Sequence, residues 1–449
     1  MSYAELLGRK EVRAESSGLL SAPALAGHLF PFQAHCVEFG LRAGSWGCFL
    51  DTGLGKTACE LEWCKHAAEA SNGRALILTP LAVARQIEAE GRRWGYPARV
   101  IRDQSEAADG INICNYDRLD RLEMDAFGAI ALDESAILKN FTGATSRALI
   151  AACSAHRWRL SASATPAPND HVEIGTHSSF CGVMAQDQML IRWFLHDSND
   201  TGTWRLKGHA RRAFFDWMAS WSRMAAHPRD LGDDRVGFDL PRLSIVRHFV
   251  DSGENAWFAD AVSATTMHDL KRKTTKARVE LIAELVAQEA AESWVIWCDT
   301  DYEADALRVA IADAVEVRGS HPVERKEEGL DAFRTGAARA IITKPSIAGH
   351  GLNWQHCARM AFVGRSFSYE SWYQAVRRCW RFGQQREVIV HLAVAEGEDQ
   401  IGRVIDRKAA DHNAMRAAMT EAMLRDSGQR LARGAYEAKH VGRLPGWMR

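Results

Sequence analysis

Between Cys48 and Trp63 the chain reads "CFLDTGLGKTACELEW": an apolar run, an acid, a loop of Thr52, Gly53, Leu54, Gly55, Lys56 and Thr57, and then a stretch with helical spacing. Two glycines and a lysine between a buried strand and a helix suit a polyanion. Glycine lets backbone N–H groups approach phosphate oxygens closely, and the helix N-terminus adds partial positive charge. The lysine can reach the outer phosphates and the Thr57 hydroxyl can hold Mg²⁺. The general phosphate-loop pattern asks for glycine where this chain has Leu50, so Gly53, Gly55, Lys56 and Thr57 fit the shorter form G-x-G-K-T.

Further along, "GAIALDESAILKN" (128–140) places Asp133 and Glu134 directly after an apolar run. Asp133 is suited to hold Mg²⁺ and Glu134 to orient or deprotonate an attacking water, the division of labour that γ-phosphate hydrolysis needs. Ahead of the glycine loop, "LFPFQAHCVEF" (29–39) contains Gln33, whose amide matches adenine N6 and N7; taken alone, Gln33 also reads as an ordinary surface residue. Phe30 or Phe32 can pack on a base. In "RLSASATPAPND" (159–170), Ser163 and Thr165 can link the acids to the rest of their lobe, although in isolation the stretch is a turn.

The second half carries "YQAVRRCWRFGQQREV" (373–388). On a helix, Gln374, Arg378 and Arg381 share one face. Such a face is costly to bury unless an anion meets it. Across a cleft from the glycine loop, those arginines can reach a γ-phosphate, and an arginine finger contributes on the order of 10³–10⁵ in rate. The loop "SIAGHGLNWQHC" (346–357), with Gly349, Gly351 and Asn353, follows another apolar run and can couple the nucleotide to a bound strand.

What must position these groups is a pair of sheets. Short apolar runs recur at 46–50, 75–79, 111–114, 128–132 and 157–161, and again at 294–298, 314–318, 339–343, 359–363 and 387–393. Runs with little polar alternation, separated by helical segments, predict parallel strands covered on both faces. The fold expected is α/β: two lobes with parallel sheets and a helical insertion between them. The intervening Trp193, Phe194, Trp204, Phe214, Phe215, Trp217 and Trp221 read as the core of a small helical layer rather than as base-stacking groups. After 410 an Ala-, Met-, Arg- and Glu-rich stretch reads as a helical tail.

Net charge is −1, which gives no global field for a nucleic-acid coat protein, although the basic runs at 205–212, 271–278 and 377–386 allow local surfaces. The ten cysteines form no C-x-x-C pair and read as reduced, buried thiols. No apolar run approaches the ~20 residues of a membrane span, and the N-terminal stretch lacks the apolar run of a signal peptide. The expected location is the cytoplasm, with no membrane partner.

With these residues in order, the chain resembles superfamily 2 helicases, and more closely the Swi/Snf-type DNA-dependent ATPases in the compact form encoded by phages and prophages, for which the location is the host cytoplasm. The likeness covers about residues 29–408 and rests on "PFQ", "DTGLGKT", "LILTPLAVARQIEAE", "ICNYDRL", "LDESAILKN", "SASATPAPND", "VIWCDTDYEADAL", "AGHGLNW" and "QAVRRCWRFGQ". It implies two RecA-like lobes with ATP and Mg²⁺ between them: 1–175 as the first lobe, 176–272 as insertion and linker, 273–410 as the second lobe, and 411–449 as the tail. It implies that Gln33 contacts adenine and that Lys56, Thr57, Asp133 and Glu134 bind and cleave the triphosphate. Gln374, Arg378 and Arg381 are then γ-phosphate sensors, with Gly351 beside the nucleotide. Thr79, Pro80, Thr165 and Asn353 face the nucleic-acid backbone. The expected activity is ATP hydrolysis coupled to stepping along duplex DNA. Unwinding of RNA or single strands, and an ATP-gated clamp with little turnover, are the alternatives. The chain departs from that pattern in reading Asp-Glu-Ser-Ala at the acids and in carrying Arg377 where the Swi/Snf branch often has Asp.

Overall fold

The structure, a computed structural model, describes residues 12–139, 143–196, 204–251, 264–349, 352–395 and 399–434. The first lobe is built on β1 (Ser45–Leu50), β2 (Arg74–Thr79), β3 (Ala98–Val100), β4 (Gly110–Asn115), β5 (Ala129–Leu132) and β6 (Trp158–Ala162). A hairpin of β7 (Phe194–His196) and β8 (Trp204–Leu206) follows, and β9 (Ser222–Ala225) returns to the first sheet. The sheet runs β3-β4-β2-β5-β6-β1-β9, with every pairing parallel. The second lobe contains β10 (Leu243–Val250), β11 (Trp294–Trp297), β12 (Val315–Val317), β13 (Ala340–Thr343), β14 (Arg359–Phe362) and β15 (Val388–Ala395). Its order is β10-β15-β14-β11-β13-β12, again all parallel.

Central strands such as β2 (RALILT) and β5 (AIAL) are buried along their length because helices cover both faces. Parallel strands send all their carboxyl ends to one side, where binding loops gather. The glycine loop leaves β1, the acids leave β5, Thr79 ends β2 and the Ser-Ala-Ser stretch ends β6. Because β2, β5, β6 and β1 are consecutive neighbours, these four loops are adjacent.

The span 176–272 is divided between the lobes. Strand β9 forms an edge of the first sheet against β1, and β10 forms an edge of the second against β15. Phe214, Phe215, Trp217 and Trp221, with Trp193 and Phe194, form a buried core beside Phe49 of β1. Met415, Met419 and Met423 of the long C-terminal helix Asp399–Gly434 complete that same core. This helix follows β15 of the second lobe. Its first turns pack Ile401 and Ile405 near Tyr369, and its later turns lie on the first lobe. Asp426 there pairs with Arg223 of β9 at 3.0 Å and with Arg13 at 2.9 Å, and Arg223 and Asp426 are both 2% exposed.

All ten cysteines are free and buried. Among the described residues no helix is long and apolar enough to cross a membrane. Replacing one member of a buried ion pair strands the other. Asp426→Ala is therefore expected to lower stability by about 3–5 kcal/mol, read as a drop in the urea midpoint. A loss below about 1 kcal/mol, the range of a surface pair, would show that the helix is not anchored there.

Candidate nucleotide site

The glycine loop has the backbone that its sequence requires. Gly53 and Gly55 lie at φ +90° and +78°, a region open to glycine and strained for other residues. A Cβ on Gly55 would meet Gln33 Nε2 at 2.2 Å, and one on Gly53 would meet Phe382 of the second lobe at 3.1 Å. The loop is thus pressed between Gln33 on one side and the arginine segment on the other. Gln33 is buried, not a surface residue: Nε2 donates to the Leu54 carbonyl at 2.9 Å, and Oε1 accepts from the Phe30 N–H at 2.9 Å. Lys56 opens the helix Lys56–Glu69, and its Nζ donates to the Leu50 carbonyl at 3.1 Å.

Asp133 and Glu134 stand beside this loop. Asp133 Oδ2 accepts the Thr79 hydroxyl at 2.7 Å, and the Asp133 carbonyl accepts from Tyr116. Burial and the neighbouring Glu134 charge raise Asp133 to about 6, against the pull of Thr79 and Lys56. Glu134 has φ +48°, which among the described residues no other non-glycine shares, and its buried Oε2 has no hydrogen-bond partner. Strain and an unpaired carboxylate oxygen concentrate where function demands them. Glu60, one turn beyond Lys56, is fully buried with both oxygens unpartnered. Burial and Asp133 push its carboxyl well above the usual range, so it is held neutral.

Ser135 ties the acids to the rest of the lobe. Its Oγ lies 3.0 Å from Ser161 Oγ, and Ser161 Oγ lies 2.8 Å from His177 Nδ1. His177 Nε2 donates to the Pro166 carbonyl at 2.9 Å, so Nδ1 accepts the serine proton and the imidazole is neutral. The linkage expected of Ser163 and Thr165 falls instead to Ser135, Ser161 and His177. Ser163 Oγ accepts from the Thr165 N–H, and the Thr165 hydroxyl is buried without a partner.

The arginines arrive by a route different from the one their spacing predicts. The helix Tyr369–Val376 ends before them, so Arg378 and Arg381 lie in the following turn rather than on one helical face. They converge nonetheless, because Arg378 Nη1 and Arg381 Nη1 both donate to the Leu352 carbonyl, at 3.0 and 2.9 Å. Neither forms an ion pair among the described residues. Burial pushes Arg378 down to about 10 while Glu134 draws it back up. Burial, with Arg378 and Arg377 as like charges, pushes Arg381 down to about 9. Gln374 is buried with an unpartnered Nε2.

The remaining sequence-picked residues fall into three groups. Thr79, expected against the nucleic-acid backbone, is fully buried and turned inward because its hydroxyl serves Asp133, and Thr165 is likewise buried. Asn353 is exposed and Pro80 half-buried. Gly351 lies outside the described residues. Sequence reasoning missed Asp51, Tyr373, Arg416, Glu60 and His177. Only Asp51, an acid abutting the loop, carried a local signal.

These residues fit a magnesium-bound triphosphate. Two buried guanidiniums without carboxylates face an acid pair with an unpaired oxygen, and a lysine and a helix N-terminus complete the cationic side. Among the described residues no cluster of three metal-ligating side chains occurs. Magnesium does not require one, since it keeps its waters and takes one or two protein oxygens beside phosphate; Thr57 and Asp133 would hold it.

Residues 277–383 match the helicase conserved C-terminal domain. Among solved structures the chain is similar to Dbp5 of S. cerevisiae bound to RNA and ADP BeF3, at 12% identity over 87% of this chain and 93% of that one, with TM-score 0.56. It is also similar to the Sulfolobus solfataricus SWI2/SNF2 ATPase core in complex with dsDNA, at 17% identity over 90% and 96%, with TM-score 0.42. The likeness to Dbp5 is one of fold, two RecA-like lobes, and the helicase C-terminal match lies within the second of them.

The His177 network is acid-sensitive with a defined sign. Burial holds His177 down to about 4, below the ordinary value of about 6.5. The unfolded chain therefore binds the extra proton first, and stability present above about 6.5 is lost as pH falls toward 4. Between pH 7 and 5 this group alone should cost about 2 kcal/mol. His177→Gln keeps a donor and an acceptor without the titration, so its urea midpoint should fall less over that range; an unchanged slope would exclude His177 as the source.

Proposed function

We propose that the cleft hydrolyses ATP in response to nucleic acid and that the resulting closing and opening of the lobes steps the protein along duplex DNA. The observation that carries the hydrolytic part is the pair of buried, carboxylate-free guanidiniums of Arg378 and Arg381 facing Glu134 and the glycine loop. Such charge is tolerated where an anion completes it.

Lys56 reaches the β- and γ-phosphates, and the loop from Thr52 to Thr57 lends its N–H groups. Thr57 and Asp133 would hold magnesium, which when bound would supply charge neutralisation at the phosphate oxygens. Glu134 orients the attacking water with its free Oε2, and neutral Glu60 adds no third negative charge beside the pair. Arg378 and Arg381 stabilise the charge that grows on the γ-phosphoryl oxygens. Gln33 still has one Nε2 hydrogen and one Oε1 lone pair, a donor and an acceptor side by side that suit adenine. In this reading Gln374 serves the nucleotide from the second lobe, while Pro80 and Asn353 meet the nucleic-acid backbone.

The preference for duplex DNA rests on the sequence "QAVRRCWRFGQ" and its Swi/Snf character. The shared fold does not choose a substrate, since Dbp5, with the same two lobes, was solved on RNA. ATPase rates measured in parallel with duplex DNA, single-stranded DNA and RNA are expected to rise most with duplex DNA. Greatest stimulation by RNA would point to an RNA-unwinding enzyme, and a flat response near zero to an ATP-gated clamp. Glu134→Gln should bind ATP as wild type does and lose about 10²-fold or more in turnover. Arg381→Ala should lower the stimulated rate by about 10³-fold with little change in ATP affinity. Affinity that falls as far as the rate would remove Arg381 from the transition-state role.

A further inference from the structure

Asp51 immediately precedes the glycine loop, yet its carboxylate points away from the phosphate side and into the junction of the two lobes. It is 3% exposed. Oδ1 accepts the Thr52 N–H at 2.6 Å and the Tyr373 hydroxyl. Oδ2 takes an Nη2 from Arg377 at 2.7 Å and one from Arg416 at 3.1 Å. The same Arg377 nitrogen donates to the Thr52 carbonyl at 3.1 Å, and Arg416 donates to the Tyr373 hydroxyl at 2.8 Å. Burial would raise the Asp51 carboxyl; Arg377 and Arg416 hold it well below the usual carboxylate range.

The partners differ in where they are anchored. Tyr373 and Arg377 belong to the second lobe, and Arg377 directly precedes Arg378. Arg416 sits between Met415 and Met419, both buried in the first-lobe core, so it is held with the first lobe although it follows the second in sequence. Separation of the lobes withdraws Tyr373 and Arg377 but leaves Arg416 beside Asp51. A lone buried carboxylate would be expensive in that open state, and Arg416 removes the penalty.

We propose that Asp51 is a positioning residue that registers the arginine turn on the glycine loop, with Arg377 as the arm that engages on closure and Arg416 as the fixed countercharge. The proposal rests on the reading that the cleft hydrolyses ATP. Arg377 Nη2 holds the Asp51 carboxylate and the Thr52 carbonyl together while Nη1 donates to the Trp380 carbonyl at 3.3 Å, so the guanidinium fork spans the glycine loop and the arginine turn. That hold fixes Arg378 and Arg381, one and four residues further on, relative to the phosphates. Asp51 itself touches no phosphate, so its effect belongs to the transition state rather than to ATP binding.

The test uses the full chain with saturating nucleic acid. Arg377→Gln leaves Asp51 paired with Arg416, so the first lobe keeps its core. It should lower kcat about 10–100-fold, the scale of a displacement near 1 Å, with KM for ATP within about twofold and an unchanged thermal midpoint. Arg377→Lys keeps the charge but loses the fork, and should restore less than half of the loss. Asp51→Asn should also lower kcat, and the double variant Asp51→Asn/Arg377→Gln should be no slower than the slower single, because both break one hold. Fluorescence energy transfer between dyes on the two lobes, with ADP and beryllium fluoride bound, should report less closure for Arg377→Gln than for wild type. A kcat within twofold of wild type, a KM that rises in proportion, full rescue by lysine, or additive losses in the double variant would each overturn the proposal. Wild-type protein without nucleic-acid-stimulated turnover would instead remove the ATPase reading, and the positioning role with it.

Discussion

Positive charge buried without its own negative partner is the constraint around which the cleft is organised. Arg378 and Arg381 donate to the Leu352 carbonyl, which answers their hydrogen-bonding needs but not their charge. Carbonyl dipoles alone do not offset the desolvation of two guanidiniums. The neighbouring arrangements are best understood from that imbalance. Glu134 is held in a strained backbone conformation on the opposite wall. Arg377, the third arginine of the turn, is neutralised separately by Asp51 and is not part of the unpaired set. A phosphate chain entering between the walls would find its countercharge already in place, and closure would bring charges together that otherwise oppose burial. In the proposed reading the substrate would favour the lobes shut, and loss of its terminal phosphate would weaken that preference.

The sequence displayed the central strands because full burial forces apolar runs, and all ten such runs became strands. The strands it concealed follow another logic. Strand β3 is three residues long. Strand β9 reads Ser-Arg-Met-Ala, with an arginine at its centre whose charge is met by Asp426, about two hundred positions away. Strand β10 is an edge with much of its length exposed, so its composition mixes Ser, Arg and His with Ile, Val and Phe. Local pattern finds what is buried by its own neighbours in sequence. It does not find a strand whose place is decided by an ion pair to a distant helix or by a vacant sheet edge.

The site divides the same way. The glycine loop and the acid pair were visible because their chemistry is contiguous: glycines at positive φ, a lysine and a helix start within six residues. Asp51 was equally close in sequence, but its meaning depends on Tyr373, Arg377 and Arg416, which only the folded chain brings to it. Thr79 is the opposite case. The resemblance set it against the nucleic-acid backbone, whereas strand neighbours β2 and β5 place its hydroxyl against Asp133. The arginines converge although their helix has ended, because the turn that follows Val376 brings Arg381 to the carbonyl that Arg378 already holds. Spacing therefore grouped these residues on a helical face, whereas the folded chain groups Arg378 and Arg381 through a turn.

The long C-terminal helix limits how such lobes can move. Its first turns pack beside Tyr369 through Ile401 and Ile405, while Met415, Met419 and Met423 are fixed in the aromatic core of the other lobe. A continuous helix does not stretch, since each residue adds only about 1.5 Å of rise along its axis. Relative motion of the lobes then has to be absorbed before Met415, in the turns that carry Lys408, Asp411 and His412. His412 packs against Tyr369 and Tyr373, and burial with the nearby Arg416 charge holds it neutral, down to about 3. That segment is lined by the Tyr369 and Tyr373 rings and a neutral imidazole, and Lys408 on it donates to Asn169 of the first lobe at 2.8 Å. Rings can slide over one another at little cost in electrostatic energy, whereas the Arg223–Asp426 pair beyond them cannot separate cheaply. The helix is therefore fastened to both lobes, and any change in their relative position would have to be accommodated by its turns before Met415.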